Sequence, residues 1–313
     1  MSSERPQVID IHRHMWSSAQ RHPKVRDIAH SAPTVRYHQP DEIPLVPDVD
    51  GTADAIVAEM DGAGVDVSVL LMADYHKRLG DAIFSPEGEN RVQVHMSQRH
   101  QDRLIPFFGM DPRREDAASL FETGLKEWGV RGLKLHPTVG FFPHDQACYP
   151  LYELCVEYGV PVIFHTGPMP SPLYSRYAQP VEFDDVAADF PDLTVIMAHS
   201  GQGHISVPQL WIQALAIARE KPNIVLELSL WQILYRDDPK SFVLAVDTMR
   251  REIGIERIVF GSDFPGPRDV LSLKEWVGGI KSLPSLGEEY GVQFDDRDVE
   301  SILGGNAARL LKL

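Results

Sequence analysis

Short apolar, β-branched runs recur along this chain and constrain its fold more than any other feature. Eight of them lie at residues 8–14, 65–71, 104–110, 132–136, 160–165, 193–199, 224–229 and 257–263. From the third onward their starts are 28 to 33 residues apart. That interval holds a strand, a crossover helix and two loops. VPVIF and LTVIM are nearly continuous in apolar residues. Parallel strands covered on both faces look like this, whereas half-exposed antiparallel strands alternate. The segments between the runs carry helix punctuation. Ser85-Pro86 offers an N-cap followed by proline at the first helical position. Gly129 and Gly159 stand where left-handed residues close helices, and Pro208 suits the first turn of PQLWIQALAIARE. Eight strands alternating with helices predict an α/β fold, a closed (β/α)8 TIM barrel. An open doubly wound sheet is the alternative, but the first run ends in HRHMW, without that fold's glycine fingerprint.

A barrel of this kind needs about 250 residues, so the 313 residues here are expected to form a single domain over 1–313. The surplus falls at 15–50, read as a long insertion after the first strand that lies over the barrel mouth. Its histidines His22, His30 and His38 are widely spaced among polar residues and read as solvated loop positions. Lys and Arg number 30 and Asp and Glu 45, a formal net charge of -15. Such a surface repels phosphate backbones and anionic lipid, which argues against nucleic-acid or membrane partners and for a small-molecule substrate. No stretch approaches the roughly 20 apolar residues of a membrane span, and MSSERPQVID lacks a signal-peptide core. A cytoplasmic protein is expected. Cys148 and Cys155 sit seven apart on an expected helix, too far along its axis to bridge.

Polar residues gather at the C-terminal ends of these runs. The first ends in His12-Arg13-His14, the fifth in His165, the sixth in His199 and the eighth in Asp263. Side chains alternate along a strand, so His12 and His14 face one way and Arg13 the other. TIM-barrel active sites form at these strand ends. One histidine there is usually a packing residue. Three strands ending in His and a fourth in Asp are hard to reach by chance. Imidazoles with a carboxylate suit one divalent ion, zinc first and manganese as the alternative, with His12, His14, His165 and Asp263 as the ligands.

VIDIHRH, GLKLHP, VIFHTG, IMAHSG, ERIVFGSDFP and GNAARLL occur in that order from Val8 to Leu311. This series resembles the amidohydrolase superfamily, specifically its amidohydrolase-related (amidohydrolase-2) group. The resemblance implies the same four metal ligands. It implies that Asp263 also accepts a proton from the attacking water, and that His199 contacts that water or the substrate. It implies a metal-dependent hydrolase, or alternatively a non-oxidative decarboxylase using the same residues, and a homo-oligomer such as a dimer. Lys134 ends the fourth run and His136 shares its face. Both are expected to bind substrate, although in binuclear relatives a lysine at this place is carbamylated. Trp16 and Trp231 are candidates for an aromatic mouth. Asp74 and Asp111 are expected to cap the helices that follow them. Glu227 is ambiguous: if it faces inward it is a buried acid in need of a partner.

Overall fold

The structure is a computed structural model that describes residues 6–15, 24, 52–202 and 208–313. The expected insertion at 15–50, with Trp16, His22, His30 and His38, lies outside the described residues except for Met15 and Lys24. Nine strand segments follow in order: β1 (Ile9–His14), β2 (Val67–Leu71), β3 (Leu104–Pro106), β4 (Phe108–Gly109), β5 (Leu133–Leu135), β6 (Val162–His165), β7 (Val195–Ala198), β8 (Ile224–Glu227) and β9 (Ile258–Val259). All pair in parallel, as β1-β2-β3 and β4-β5-β6-β7-β8-β9.

The third run, expected as one strand, is divided between these two sheets. Phe107 N–H donates to Leu70 O at 3.0 Å and Phe108 N–H to Gly132 O at 2.8 Å, so residues 104–109 join one sheet to the other. A second seam closes the ring. Ile11 N–H donates to Phe260 O at 3.1 Å, Asp263 N–H to His12 O at 2.7 Å and His14 N–H to Phe264 O at 2.7 Å. The result is the (β/α)8 barrel.

The crossover helices are α1 (Ala53–Ala63), α2 (Pro86–Gln98), α3 (Ala117–Glu127), α4 (Tyr149–Tyr158), α5 (Asp184–Asp189), α6 (Pro208–Glu220), α7 (Pro239–Ile253) and α8 (Leu273–Lys281). Their ends fall at the sequence signals. Ser85 Oγ accepts from Gly88 N–H at the start of α2, and Gly159 closes α4 at φ 59°. Among the described residues no helix is long and apolar enough to cross a membrane.

The barrel interior is filled by Ile9, Ile11, Val69, Phe107, Ile163, Ile196, Val225 and Val259, with Ala307 and Leu311 of the last helix in the same cluster. A larger cluster lies between the strands and the surrounding helices. The interior depends on a matched pair. A Cβ at Gly132 would stand 2.3 Å from the Phe107 ring, so the absent side chain makes room for the aromatic one. In β1 the pairing register shifts between Asp10 and Arg13. Such an irregularity re-aims side chains. Ile9 and Ile11 belong to the barrel interior, while His12 and His14 reach the mouth and Arg13 pairs outward with Glu59 of α1.

Two outcomes are expected. Gly132→Ala should lower stability by about 1–3 kcal/mol in urea unfolding through overpacking against Phe107; an unchanged midpoint would contradict this packing. Cys148 and Cys155 are buried and free, and burial pushes the Cys148 thiol up to about 12 and that of Cys155 higher still. Neither should react with a thiol reagent at neutral pH in the folded protein, and both should react in urea.

Candidate metal centre

His12 and His14 at the end of β1 meet Asp263, which follows β9, at the C-terminal mouth. His14 Nε2 lies 2.9 Å and His12 Nε2 3.2 Å from Asp263 Oδ1, and the two Nε2 atoms are 3.3 Å apart. All three residues are buried. His14 Nδ1 is 3.0 Å from the carbonyl of Leu71. A carbonyl only accepts, so Nδ1 carries the proton and Nε2 turns a lone pair to the cluster. This donor set fits a divalent cation: imidazole nitrogen and carboxylate oxygen, each able to give one atom, all within 4.8 Å of one another.

The electrostatics favour positive charge at this point. Burial opposes ionisation of Asp263, but His12 beside it, by its charge and its hydrogen bond, holds the carboxyl well below the usual range. Burial and Lys134 oppose a charge on His12, yet Asp263 and Glu227 draw its pKa above the ordinary value. Lys134 Nζ stands 3.5 Å from His12 Nε2, and burial lowers this lysine to about 8 against the pull of the same two carboxylates.

The remaining predicted histidines form the adjoining wall. The His199 ring is 5.0 Å from both His12 and His165. His136 and His165 stack at 4.2 Å with their planes 6° apart. Burial drives His136 and His199 well below the ordinary imidazole range, which keeps both neutral. Thr138 Oγ1 lies 2.7 Å from His136 Nδ1. His165 belongs to neither of the two three-donor groups found among the described residues, which are His12–His14–Asp263 and His12–His199–Glu227. Trp231 is fully buried and its Nε1–H donates to the carbonyl of His199 at 3.1 Å, so it supports His199 from behind rather than lining an open mouth. Trp16 lies outside the described residues. Asp74 and Asp111 do not cap the following helices as expected: the N-cap positions of the short helix His76–Leu79 and of α3 are Tyr75 and Asp116. Asp74 Oδ1 instead accepts from His76 N–H and Asp111 Oδ1 from Arg113 N–H in local turns, and the two carboxylates pair with Arg114 and Arg113.

Glu227 proves to face inward and to be the hub of the site. Its Oε2 accepts from His199 N–H at 2.9 Å and from the Ser229 hydroxyl at 2.7 Å, and lies 3.2 Å from His12 Nδ1. Its Oε1 accepts from Ser229 N–H at 2.5 Å. Asp10 is a second buried acid behind the ligands. It takes hydrogen bonds from Ser262 N–H and Oγ and from His12 N–H, while burial raises it to about 6. Neither Ser229 nor Asp10 stood out in the sequence; the only signal was their place two residues from Glu227 and His12.

Backbone strain concentrates here. His199, Ser200, Leu230 and Asp263 have φ of 62°, 48°, 64° and 58°. Left-handed non-glycine residues cost on the order of 1–3 kcal/mol each and persist only where their surroundings fix them. The four lie just beyond β7, β8 and β9, where the chain must turn sharply to aim side chains across the mouth. Gly261 is required beside them: a Cβ there would sit 1.9 Å from Glu227 Oε1 and 2.9 Å from His12 Cβ.

The amidohydrolase family profile matches residues 9–313. The chain belongs to the amidohydrolase family, and so to a metal-dependent enzyme family whose members share this barrel. A curated relative from Sphingobium sp. (strain NBRC 103272 / SYK-6), 2-keto-4-carboxy-3-hexenedioate hydratase, is 25% identical over 217 residues, covering 60% of this chain and 59% of that enzyme. Among solved structures, an uncharacterised TIM-barrel protein from Bordetella bronchiseptica superposes with a TM-score of 0.72 at 24% identity over 98% of both chains. A probable 2-pyrone-4,6-dicarboxylic acid hydrolase from Acinetobacter baumannii, solved with citric acid, superposes at a TM-score of 0.65 and 14% identity, over 98% of this chain and 100% of that one.

Gly261→Ala should weaken metal retention at least 10-fold, because the new methyl displaces Glu227 and His12 together. Gly278→Ala, with nothing within 4 Å of the added carbon, is the control and should retain metal. Equal retention in both variants would show that the position of Glu227 does not govern the site.

Proposed function

We propose that this chain is a metal-dependent hydrolase acting on a small carboxylate-bearing or ring-containing substrate. One divalent ion, zinc or manganese, is held by His12, His14 and Asp263, with His165 completing the set from β6. The observation that carries this reading is the convergence of two imidazole nitrogens and one carboxylate oxygen within 3.3 Å of one another in a buried, negatively biased corner. When bound, such an ion lowers the pKa of a water toward neutrality and polarises a substrate oxygen.

The chain's own residues supply the rest. Asp263, ionised despite burial, is the proton acceptor for the attacking water. Lys134 is a buried cation beside the donor group and is placed to hold a substrate carboxylate. His136 and His199 form a neutral imidazole wall that orients water and substrate. A lyase is the second reading, decarboxylation included. The 25% identity to a hydratase favours it, since a hydratase moves water and protons at carbon. In that case Asp263 would exchange its proton with carbon instead of water. A cytoplasmic location, read from the sequence, and a homodimer, drawn from the family resemblance, belong to the same proposal.

The test is a panel of small polycarboxylates, lactones and aromatic acids supplied to zinc- or manganese-loaded protein in 18O-labelled water. A hydrolase incorporates one labelled oxygen at the cleaved carboxyl or acyl bond, a hydratase adds one at a carbon–carbon double bond with no bond cleaved, and a decarboxylase releases carbon dioxide and takes up none. Turnover only by carbon dioxide release, or only by hydration of a carbon–carbon double bond, would replace the hydrolase reading with the lyase one. On any turned-over substrate Asp263→Asn should reduce kcat/KM by roughly 100-fold to 10,000-fold in a folded protein; near-wild-type turnover would remove Asp263 as the base. His165→Ala should lower metal content per chain, and unchanged content would remove His165 from the ligand set.

A further inference from the structure

The second three-donor group, His12, His199 and Glu227, could be taken for a second metal position. Its hydrogen bonds argue otherwise. Both Glu227 oxygens are already occupied by donors: His199 N–H and the Ser229 hydroxyl on Oε2, and Ser229 N–H on Oε1. His12 meets this group through Nδ1 and the Asp263 group through Nε2. One ring therefore joins an inner cluster to an outer support.

Counting protons at Ser229 fixes the direction of every bond in that support. A carboxylate only accepts, and the hydroxyl has a single proton. That proton therefore goes to Glu227 Oε2, 2.7 Å away. Ser229 Oγ also lies 2.7 Å from His199 Nδ1 and 3.3 Å from His12 Nδ1. Toward both rings the hydroxyl can now only accept. If it donated to His199 instead, two bare oxygens would face each other at 2.7 Å in a buried site.

We infer that Glu227 and Ser229 act as a positioning pair that holds both His12 and His199 as Nδ1–H tautomers, with two bare Nε2 atoms turned to the reaction space. His12 uses its Nε2 toward the cation. His199 presents an acceptor, so it accepts a hydrogen bond from the attacking water or the substrate, and orients that group for Asp263, rather than donating a hydrogen bond to developing negative charge. The donor role then falls to Lys134. The backbone of His199 is clamped to suit, with its N–H on Glu227, its carbonyl on Trp231 Nε1–H and its φ at 62°. The inference rests on the metal reading only for what His12 Nε2 binds.

The experiment is a long-range 1H–15N correlation on the zinc-loaded full chain labelled at histidine nitrogens, with His199 assigned by comparison with His199→Asn. His199 should show a protonated Nδ1 and a bare Nε2. Ser229→Ala should shift His199 toward Nε2–H or a mixture, with a smaller loss of zinc than Glu227→Gln, which should weaken zinc binding about 10-fold to 100-fold. An Nε2–H tautomer in the unsubstituted protein, or an unaltered His199 signal in Ser229→Ala, overturns the inference. The wild-type spectrum decides the first point even if a variant fails to fold. A chain with this tautomer that holds no zinc supports the positioning pair and removes the metal reading instead.

Discussion

Two imidazole lone pairs and a carboxylate oxygen cannot be packed against one another out of water unless positive charge lies among them. At ordinary protein dielectric the repulsion and lost solvation amount to several kcal/mol. In this barrel His12, His14 and Asp263 are brought together in that way. A proton on His12 can supply the charge, as its raised pKa indicates, and so can a divalent cation. The ion competes with the proton for the same atoms. Lys134, 3.5 Å from His12 Nε2, cannot join the ligands as a cation and is left to meet a substrate anion.

The barrel exists around this corner in a literal sense. His12 and His14 are on the first strand and Asp263 follows the last, so the seam that closes the ring also assembles the ligands. The hydrogen bond from Asp263 N–H to His12 O is both a closure bond and a site bond. Beneath it, Asp10 with Ser262 and Glu227 with Ser229 fix the ligand rings from behind. Left-handed residues beyond three strands are the conformational cost of aiming these groups inward.

Much of this was legible in the sequence because the physics involved is periodic. The run spacing reports the strand–helix unit, and the terminal residues of each run report what reaches the mouth. Alternation placed Arg13 opposite His12 and His14, as its pairing with Glu59 shows. Alternation could not orient Glu227: it groups Glu227 with Val225 and Ser229 on one face and Ile224, Leu226 and Leu228 on the other, but a barrel strand is covered on both faces, so the pattern does not say which face is the interior. Ser229 escaped for a different reason, since its role depends on a bond between side chains two residues apart on a turning chain. Trp231 read as a mouth residue because it follows a strand, but the turn at Leu230 sends it under His199. The register shift in β1 and the division of the third strand depend on neighbouring strands and have no local signature. The insertion at 15–50, with Trp16, lies for the most part outside the described residues.

The central claim is that this corner is a binding site for one cation. Elemental analysis of protein purified without chelator, read as metal per chain, tests it most directly. The account predicts about one zinc or manganese per chain, lost on mutation of His14. Two per chain would contradict the single-cation claim and mean that Lys134 is carbamylated and His199 is a ligand. No metal, even after dialysis against zinc and manganese, would contradict the account.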